Sequence, residues 1–262
     1  MSNVSGHSYF RQEGDLFIGN DAARGPWSEQ HCHAGPVAAL TVRAAEHLFP
    51  APFQILRITL DLLRPVPIDG ITVTAQALRK SRSVAAAEVA VQDRAGKTCV
   101  TGHTMHLISQ DIGAVPSPVE PAIEFDTAEP LAFPLARAHD LPCFTDFTDI
   151  RYPPGQGPGV GPKTVWMRFP GIVDGETPSA FQKLCPLADS SNGISGNAPL
   201  KDFTFLNTDL TIAMHRPMEG DWLASQARSH WQPTGNGLAD AVLSDRIGPV
   251  AQALQTLILR RR

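Results

Sequence analysis

Gln255 stands among Val250, Ala251, Ala253, Leu254, Leu257, Ile258 and Leu259, an otherwise apolar run. A buried glutamine must find hydrogen-bond partners. Its amide both donates and accepts, so it can fix the orientation of a water molecule; a glutamine facing solvent would need no such role. The segment His33-Ala34-Gly35-Pro36-Val37 carries a second kind of chemistry. It reads as a helix start, where backbone N–H groups are unpaired and the dipole end is positive. Such an end can stabilise an oxyanion. Pro36 has no N–H, which makes Gly35 and Val37 the candidate donors, and Gly35 would let a substrate approach the backbone; a simple helix start would carry the same residues. Other groupings fall short. His31-Cys32-His33 has no fourth ligand at zinc-type spacing, so no metal is expected. Gly155 to Lys163 imitates a phosphate loop, but Pro158 and Pro162 remove donors and the Gly-Lys-Ser/Thr ending is absent. Gly193-Ile194-Ser195-Gly196 is not a nucleophile elbow. His103 and His106, three apart on a strand, face opposite sides.

The elements that must position these residues follow from periodicity. Val37, Ala38, Leu40, Thr41, Ala44, Ala45 and Leu48 recur at three and four, which predicts a helix from Pro36 to Leu48, ended by Pro50 and Pro52. Its alanine-rich face admits close neighbours. Phe10 and Leu16 to Ile18 predict one short strand ahead of it. Strands are expected over 55–63, 71–78, 85–91 and 98–108, with a hairpin turn at Asp93-Arg94-Ala95-Gly96. Residues 110–143, with prolines at 116, 118, 121, 130, 134 and 142, read as a linker or surface wrap. The second half repeats the order: a helix over 180–189, then strands over 205–214, 222–231, 238–243 and 250–259.

Two landmarks share one offset. Arg64-Pro65 and Arg216-Pro217 are 152 residues apart, as are the turn glycines Gly96 and Gly248. Adding the same offset to Pro36 falls inside the second helix. The reading is a duplicated α+β unit, residues 1–109 and 144–262 around the 110–143 linker, each a helix on a curved antiparallel sheet. Edge strands of the two units would pair, removing two exposed edges.

Composition sets the class. The 262 residues are 42% hydrophobic and 18% charged, with a net charge of −4. This excludes a disordered chain and offers no basic surplus for nucleic acid. The four cysteines are scattered, without a CxxC pair, and read as reduced thiols. No secretory signal and no membrane span is legible, so the expected compartment is the cytoplasm.

The chain resembles the double-hotdog acyl-CoA thioesterases, both the thioesterase II type and its actinobacterial-style relatives. The resemblance rests on Arg24-Gly25-Pro26-Trp27, His33-Ala34-Gly35-Pro36 and Thr59 to Pro67 in the first half. In the second half it rests on Ala188 to Ser195, Asn207 to Thr211, His215-Arg216-Pro217 and Gln255. It implies a tandem hotdog, each repeat a long helix wrapped by a curved antiparallel sheet, and hydrolysis of an acyl-CoA thioester without a cofactor. It implies one water held by an Asp, a Thr or Ser, and a Gln of the second repeat, which fall on Asp209, Ser229 and Gln255. A partly buried Asp can act as general base. The middle position is open between Ser229 and His230. Strand alternation puts Ser229 with Leu223, Ser225, Ala227 and Trp231 on the less charged, inward side, which favours Ser229. Counting back by 152 puts Arg57 and His103 at the first repeat's positions, so one active site per chain is expected. Arg79-Lys80-Arg82 and Arg260 to Arg262 could meet the phosphates of CoA. A homodimer is an expectation carried by the resemblance. Two other readings compete: a hotdog enoyl-CoA hydratase, for which Asp21 with His31 or His33 has the wrong spacing, and a thioester-binding module without catalysis.

Overall fold

Long runs of alternating burial, interrupted by an alanine-rich helix in the first half and by a shorter helix in the second, produce one continuous sheet in the computed structural model, which describes residues 4–118, 120–133 and 137–262. Pro134 and parts of the expected linker lie outside the described residues. The first half runs β1 (Ser8–Glu13), β2 (Leu16–Gly19), α1 (Ala34–Leu48), β3 (Phe53–Leu62), β4 (Ile71–Lys80), β5 (Val84–Asp93) and β6 (Thr98–Ile108). Then come β7 (Glu129–Pro130), β8 (Asp149–Tyr152), β9 (Lys163–Arg168), β10 (Gly171–Val173), α2 (Ala180–Asp189) and α3 (Ser191–Ile194). The chain closes with β11 (Phe203–Asn207), β12 (Asp209–Met214), β13 (Leu223–Trp231), β14 (Asn236–Ser244) and β15 (Pro249–Arg261).

Hydrogen bonding orders the strands β10-β1-β2-β4-β5-β6-β3-β12-β15-β14-β13-β9-β8-β7, with β11 on β15. Read outward from the centre, β3-β6-β5-β4-β2 on one side mirrors β12-β15-β14-β13-β9 on the other. At the centre β3 and β12 run antiparallel with Thr59 opposite Thr211, their hydroxyls 3.2 Å apart. These two residues are separated by the same 152 as the repeated landmarks. Gly96 and Gly248 both take positive φ, which explains glycine at both turns. The helices do not keep that offset: Ala34 and Ala180 are 146 residues apart.

Some expected elements divide or multiply. The strand anticipated over 205–214 is two, β11 and β12, broken at Thr208, whose N–H turns to the Thr256 carbonyl. The N-terminal strand is a hairpin of two. Strands β8 to β10 had no expectation at all; each is 6 residues or fewer, too short for a periodicity to declare itself. The proline-rich segment wraps the surface, with Ile123, Phe125 and Ala128 on Trp166 and Trp222.

Both helices lie on one face of the sheet, α1 over β3 to β5 and α2 over β12 to β15. They are antiparallel, because the start of α1 meets the end of α2 and Glu46 near the end of α1 meets Ser179 at the start of α2. A Cβ on Gly35 would stand 2.7 Å from the Pro186 Cα and 3.0 Å from the Cys185 carbonyl, both backbone atoms. Glycine here is set by helix contact rather than by substrate approach.

The His215-Arg216-Pro217 motif has a structural purpose. Arg216 meets the fully buried Asp245 carboxylate through two bonds of 2.7 Å and also reaches the Gly248 and Pro249 carbonyls. Asp245 accepts in addition from the N–H groups of Glu219, Ile247 and Gly248, so the pair pins the β14–β15 turn. Removing one partner of such a pair strands a buried charge. Arg216→Leu is expected to cost about 3 kcal/mol and lower the melting temperature by about 6–12 °C. Arg64→Leu, at an exposed residue with no ion pair among the described residues, is expected to stay within about 0.5 kcal/mol. Thermal unfolding of both variants checks this.

Candidate functional site

Asp189 closes α2 and is 4% exposed. A carboxylate at the C-terminal end of a helix sits against the negative end of the dipole. Here it is compensated by the opposite end of α1, which points at it. Oδ2 accepts the Gly35 N–H at 2.7 Å and lies 2.9 Å from His33 Nδ1. Oδ1 accepts from Asn207 Nδ2 at 2.8 Å and from Gln255 Nε2 at 3.4 Å. Gln255 also donates to the Asp189 carbonyl at 3.1 Å and accepts the Asn192 N–H at 3.1 Å. Every polar atom of this fully buried glutamine is therefore used, as burial requires. The Gly35 N–H also lies 3.2 Å from His33 Nδ1, so one backbone donor faces both the imidazole nitrogen and the carboxylate.

His33 caps α1 and stacks on Phe144, centroids 4.0 Å apart and planes 6° off parallel. Tyr9 also stacks on Phe144, centroids 5.9 Å apart. The imidazole is thus held edge-on by a carboxylate and flat by an aromatic ring.

A cavity of ≈ 420 Å³ opens on this cluster, lined by His33, Ala34, Asp189, Asn192, Asn207 and Thr208, with Trp27, Leu62 and Ile258 as apolar wall. Cys32 also lines it, but burial pushes its thiol up to about 12, so it is no thiolate nucleophile at neutral pH. Arg64 lies at the same cavity. Among the described residues no group of three or more His, Cys, Asp or Glu is placed to hold a metal ion. No described helix is long and apolar enough to cross a membrane.

The expected site residues separate. Gln255 and Ser229 both face the helices, and both pair with Ala239 of β14, so they share one row of the inner face. Two strand spacings put their backbones about 10 Å apart. Ser229 is tied to Ser195: the Ser195 hydroxyl donates to the Ser191 carbonyl, which leaves Ser229 to donate to Ser195 at 2.8 Å. His230 points outward to Asp240 at 2.9 Å.

Asp209 is not brought to them. On β12, Leu210, Ile212 and Met214 are buried toward the helices, whereas Asp209, Thr211 and Ala213 take the other face. The Asp209 carboxylate accepts the Thr256 N–H at 2.6 Å, on the opposite side of β15 from Gln255. The expectation that Asp209 joins Gln255 is corrected by strand alternation: the carboxylate beside Gln255 belongs to Asp189. Gly35 does reach the site, but its N–H is engaged by Asp189. Val37, at the fourth helical position, is the first whose N–H can reach back to the cap carbonyl, so it is not a free donor.

Sequence reasoning passed over Asp189, His33, Asn192 and Asn207. One signal was present: an aspartate in the last turn of a helix opposes the dipole and calls for a compensating partner. The partner itself lies 154 residues away in sequence.

Gln255→Leu would leave the Asp189 carbonyl and the Asn192 N–H without their partner. The expected loss is about 1–3 kcal/mol of stability, whereas Gln252→Leu, exposed on the same strand, should stay within about 0.5 kcal/mol. Denaturant unfolding of the two variants provides the comparison.

Comparison with known proteins gives a consistent picture. The profile of the acyl-CoA thioesterase N-terminal domain matches residues 23–107, and that of the acyl-CoA thioesterase C-terminal domain matches residues 124–259. No match was found among curated proteins. In structure the chain is similar to a candidate thioesterase from Novosphingobium aromaticivorans, with a TM-score of 0.75 at 17% identity, covering 97% of this chain and 99% of the other. It is similar to the acyl-CoA thioesterase II TesB2 from Mycobacterium marinum, with a TM-score of 0.69 at 17% identity over 96% and 94%. A conserved hot-dog-fold protein of Alicyclobacillus acidocaldarius gives a TM-score of 0.71 at 16% identity over 96% and 95%. At these identities the structural likenesses establish a hotdog-type fold.

Proposed function

The chain belongs to the acyl-CoA thioesterase family, and we propose that it hydrolyses an acyl-CoA to the free acid and CoA by direct attack of a water molecule in the cavity beside Asp189. The observation that carries this reading is the buried Asp189 carboxylate bonded to the start of α1 at the wall of that cavity. Thioester hydrolysis needs a base for the water and a donor for the oxygen that becomes negative. Asp189, with His33 against it, supplies the negative charge on the side of the cavity that activates the water. Ala34, at the first helical position and on the cavity wall, has an N–H with no intrahelical partner and is the proposed oxyanion donor beside Gly35. Gln255 and Asn207 hold the carboxylate, and Ser229 completes the polar row beneath it.

The proposed architecture is a double hotdog, with repeats at 1–109 and 144–262. The mirrored strand order and the Thr59–Thr211 crossing support it. For the CoA phosphates, Arg64 and Arg260 to Arg262 are favoured: β15 runs from cavity-lining Ile258 into Arg260. Lys80 instead lies over Phe49 and Phe53, beyond the far end of α1, about 20 Å away. A homodimer through a sheet edge and a cytoplasmic setting complete the reading, supported by the family and by four cysteines that are all free. A second reading, enoyl-CoA hydration, is favoured by one observation, the His33–Asp189 contact.

The test is free-thiol release across acyl-CoAs from acetyl to palmitoyl, with aromatic acyl groups included. Release from one class is expected, with Asp189→Asn at least about 100-fold slower and Asp209→Asn within about threefold of the parent. Full activity in Asp189→Asn would remove the central residue. Consumption of a 2-enoyl-CoA without thiol release would favour the hydratase, and a raised melting temperature without consumption the binding module.

A further inference from the structure

We propose that the proton acceptor in this cavity is His33, acting through Nε2, with Asp189 as the carboxylate that orients and stabilises its imidazole. The inference rests on the thioesterase reading for its substrate but on the geometry of the site for its residue. Asp189 is poorly placed to take a proton itself. Its Oδ2 already accepts from Gly35 N and stands 2.9 Å from His33 Nδ1, and its Oδ1 accepts from Asn207 and Gln255. A carboxylate with three donors and an imidazole against it has little lone-pair capacity left for water. The Gly35 N–H faces the same Nδ1 at 3.2 Å but is nearer to the carboxylate, at 2.7 Å; with the carboxylate taking that N–H, the proton of the imidazole belongs on Nδ1 and the unprotonated nitrogen is Nε2. Among the described residues nothing bonds to Nε2, while His33 lines the cavity and is 11% exposed. Stacking on Phe144 fixes the ring plane. An imidazole with one nitrogen against a buried carboxylate and the other without a partner, on a residue that lines the cavity, is the arrangement of a general base.

The step balances as follows. As the water oxygen bonds to the thioester carbon, one water proton passes to Nε2 and the carbonyl π pair moves to oxygen, beside the start of α1. Collapse re-forms the C=O and breaks the C–S bond. The proton on Nε2 then goes to the departing sulfur. One water and one thioester become one acid and one thiol, with His33 returned to its starting form.

Other titratable or charged groups face His33 from the elements around it. Asp189 is in contact, His31, Cys32 and Arg64 share the cavity, and Tyr9 stacks on Phe144. Of these, burial pushes the Cys32 and Tyr9 groups up, His31 Nδ1 is bonded to Ser28 Oγ at 2.7 Å, and His33 is the base in contact with Asp189.

The experiment uses the full chain and the acyl-CoA it hydrolyses best. His33→Ala should lose about 100- to 10,000-fold in kcat with KM little changed. Free imidazole, entering the slot vacated beside Phe144, should restore part of that rate in proportion to its unprotonated fraction. His33→Asn, which keeps an N–H for Asp189 but has no base, should be as slow as His33→Ala. Parental kcat in His33→Asn, or no imidazole rescue of His33→Ala while Asp189→Asn is inactive, would overturn the proposal and return the proton to Asp189. If the parent releases no thiol at all, the thioesterase reading fails, and diethyl pyrocarbonate labelling decides the residue's state. Modification of His33 faster than of His230, slowed in Asp189→Asn, is then expected. A His33 that stays unmodified while His230 reacts would overturn it.

Discussion

A carboxylate sealed between two helices and a sheet costs several kcal/mol unless its lone pairs are met. Asp189 is such a group, and much of the surrounding structure exists to meet it. The start of α1 must approach the end of α2 closely enough for the Gly35 N–H to reach it, which leaves no room for a side chain at position 35. The inner face of β13 to β15 must be lined by small residues such as Ala227, Ala239, Ala241 and Ala253 so that α2 can lie low over it. Asn207 must end β11, and Gln255 must face inward from β15. Each is a local choice that makes sense only with the carboxylate in place.

The helix pair has a second end, and the contrast there is informative. Glu46 occupies the corresponding position, accepting from Ser179 Oγ and Gln182 Nε2 at 2.7 Å each, beside a cavity of ≈ 270 Å³. Burial pushes its carboxyl up, toward the neutral form. The start of α2 is capped by Ser179, whose hydroxyl accepts the Gln182 N–H in the ordinary manner of a serine cap. The start of α1 is capped by His33, and its Gly35 N–H faces both the imidazole Nδ1, at 3.2 Å, and the carboxylate, at 2.7 Å. The helix pair has two junctions, and of the two only this one carries an imidazole beside a carboxylate and a helix start.

The division between what was legible and what was not follows interaction range. Helix α1, the strands β3 to β6 and β13 to β15, and the 152-residue offset were readable because each rests on periodicity or turn chemistry within a dozen residues. So was the inward direction of Ser229, from alternation alone. The short strands β8 to β10 carry too few residues to show a period. The break at Thr208 divides what reads as one apolar run, because β11 and β12 share β15 as a neighbour only in three dimensions.

The site itself shows where sequence stops. Gln255 could be picked out because a glutamine among apolar residues is a local anomaly, and its burial bears that out. The choice of carboxylate could not be made the same way. Asp209 and Asp189 are both acids near the second-repeat motifs, and which one meets Gln255 depends on the faces that β12 and β15 present after pairing. His33 is likewise an ordinary helix cap in sequence; it gains chemical character only from a carboxylate 156 residues away and a ring supplied by Phe144. Local pattern determined most of the elements and the landmarks that recur at one offset, since those depend on neighbours along the chain. Only the packing of α1 against α2 over the shared sheet decided which acid, which base and which N–H face one cavity, because hydrogen bonds act over about 3 Å in space, whatever the distance in sequence.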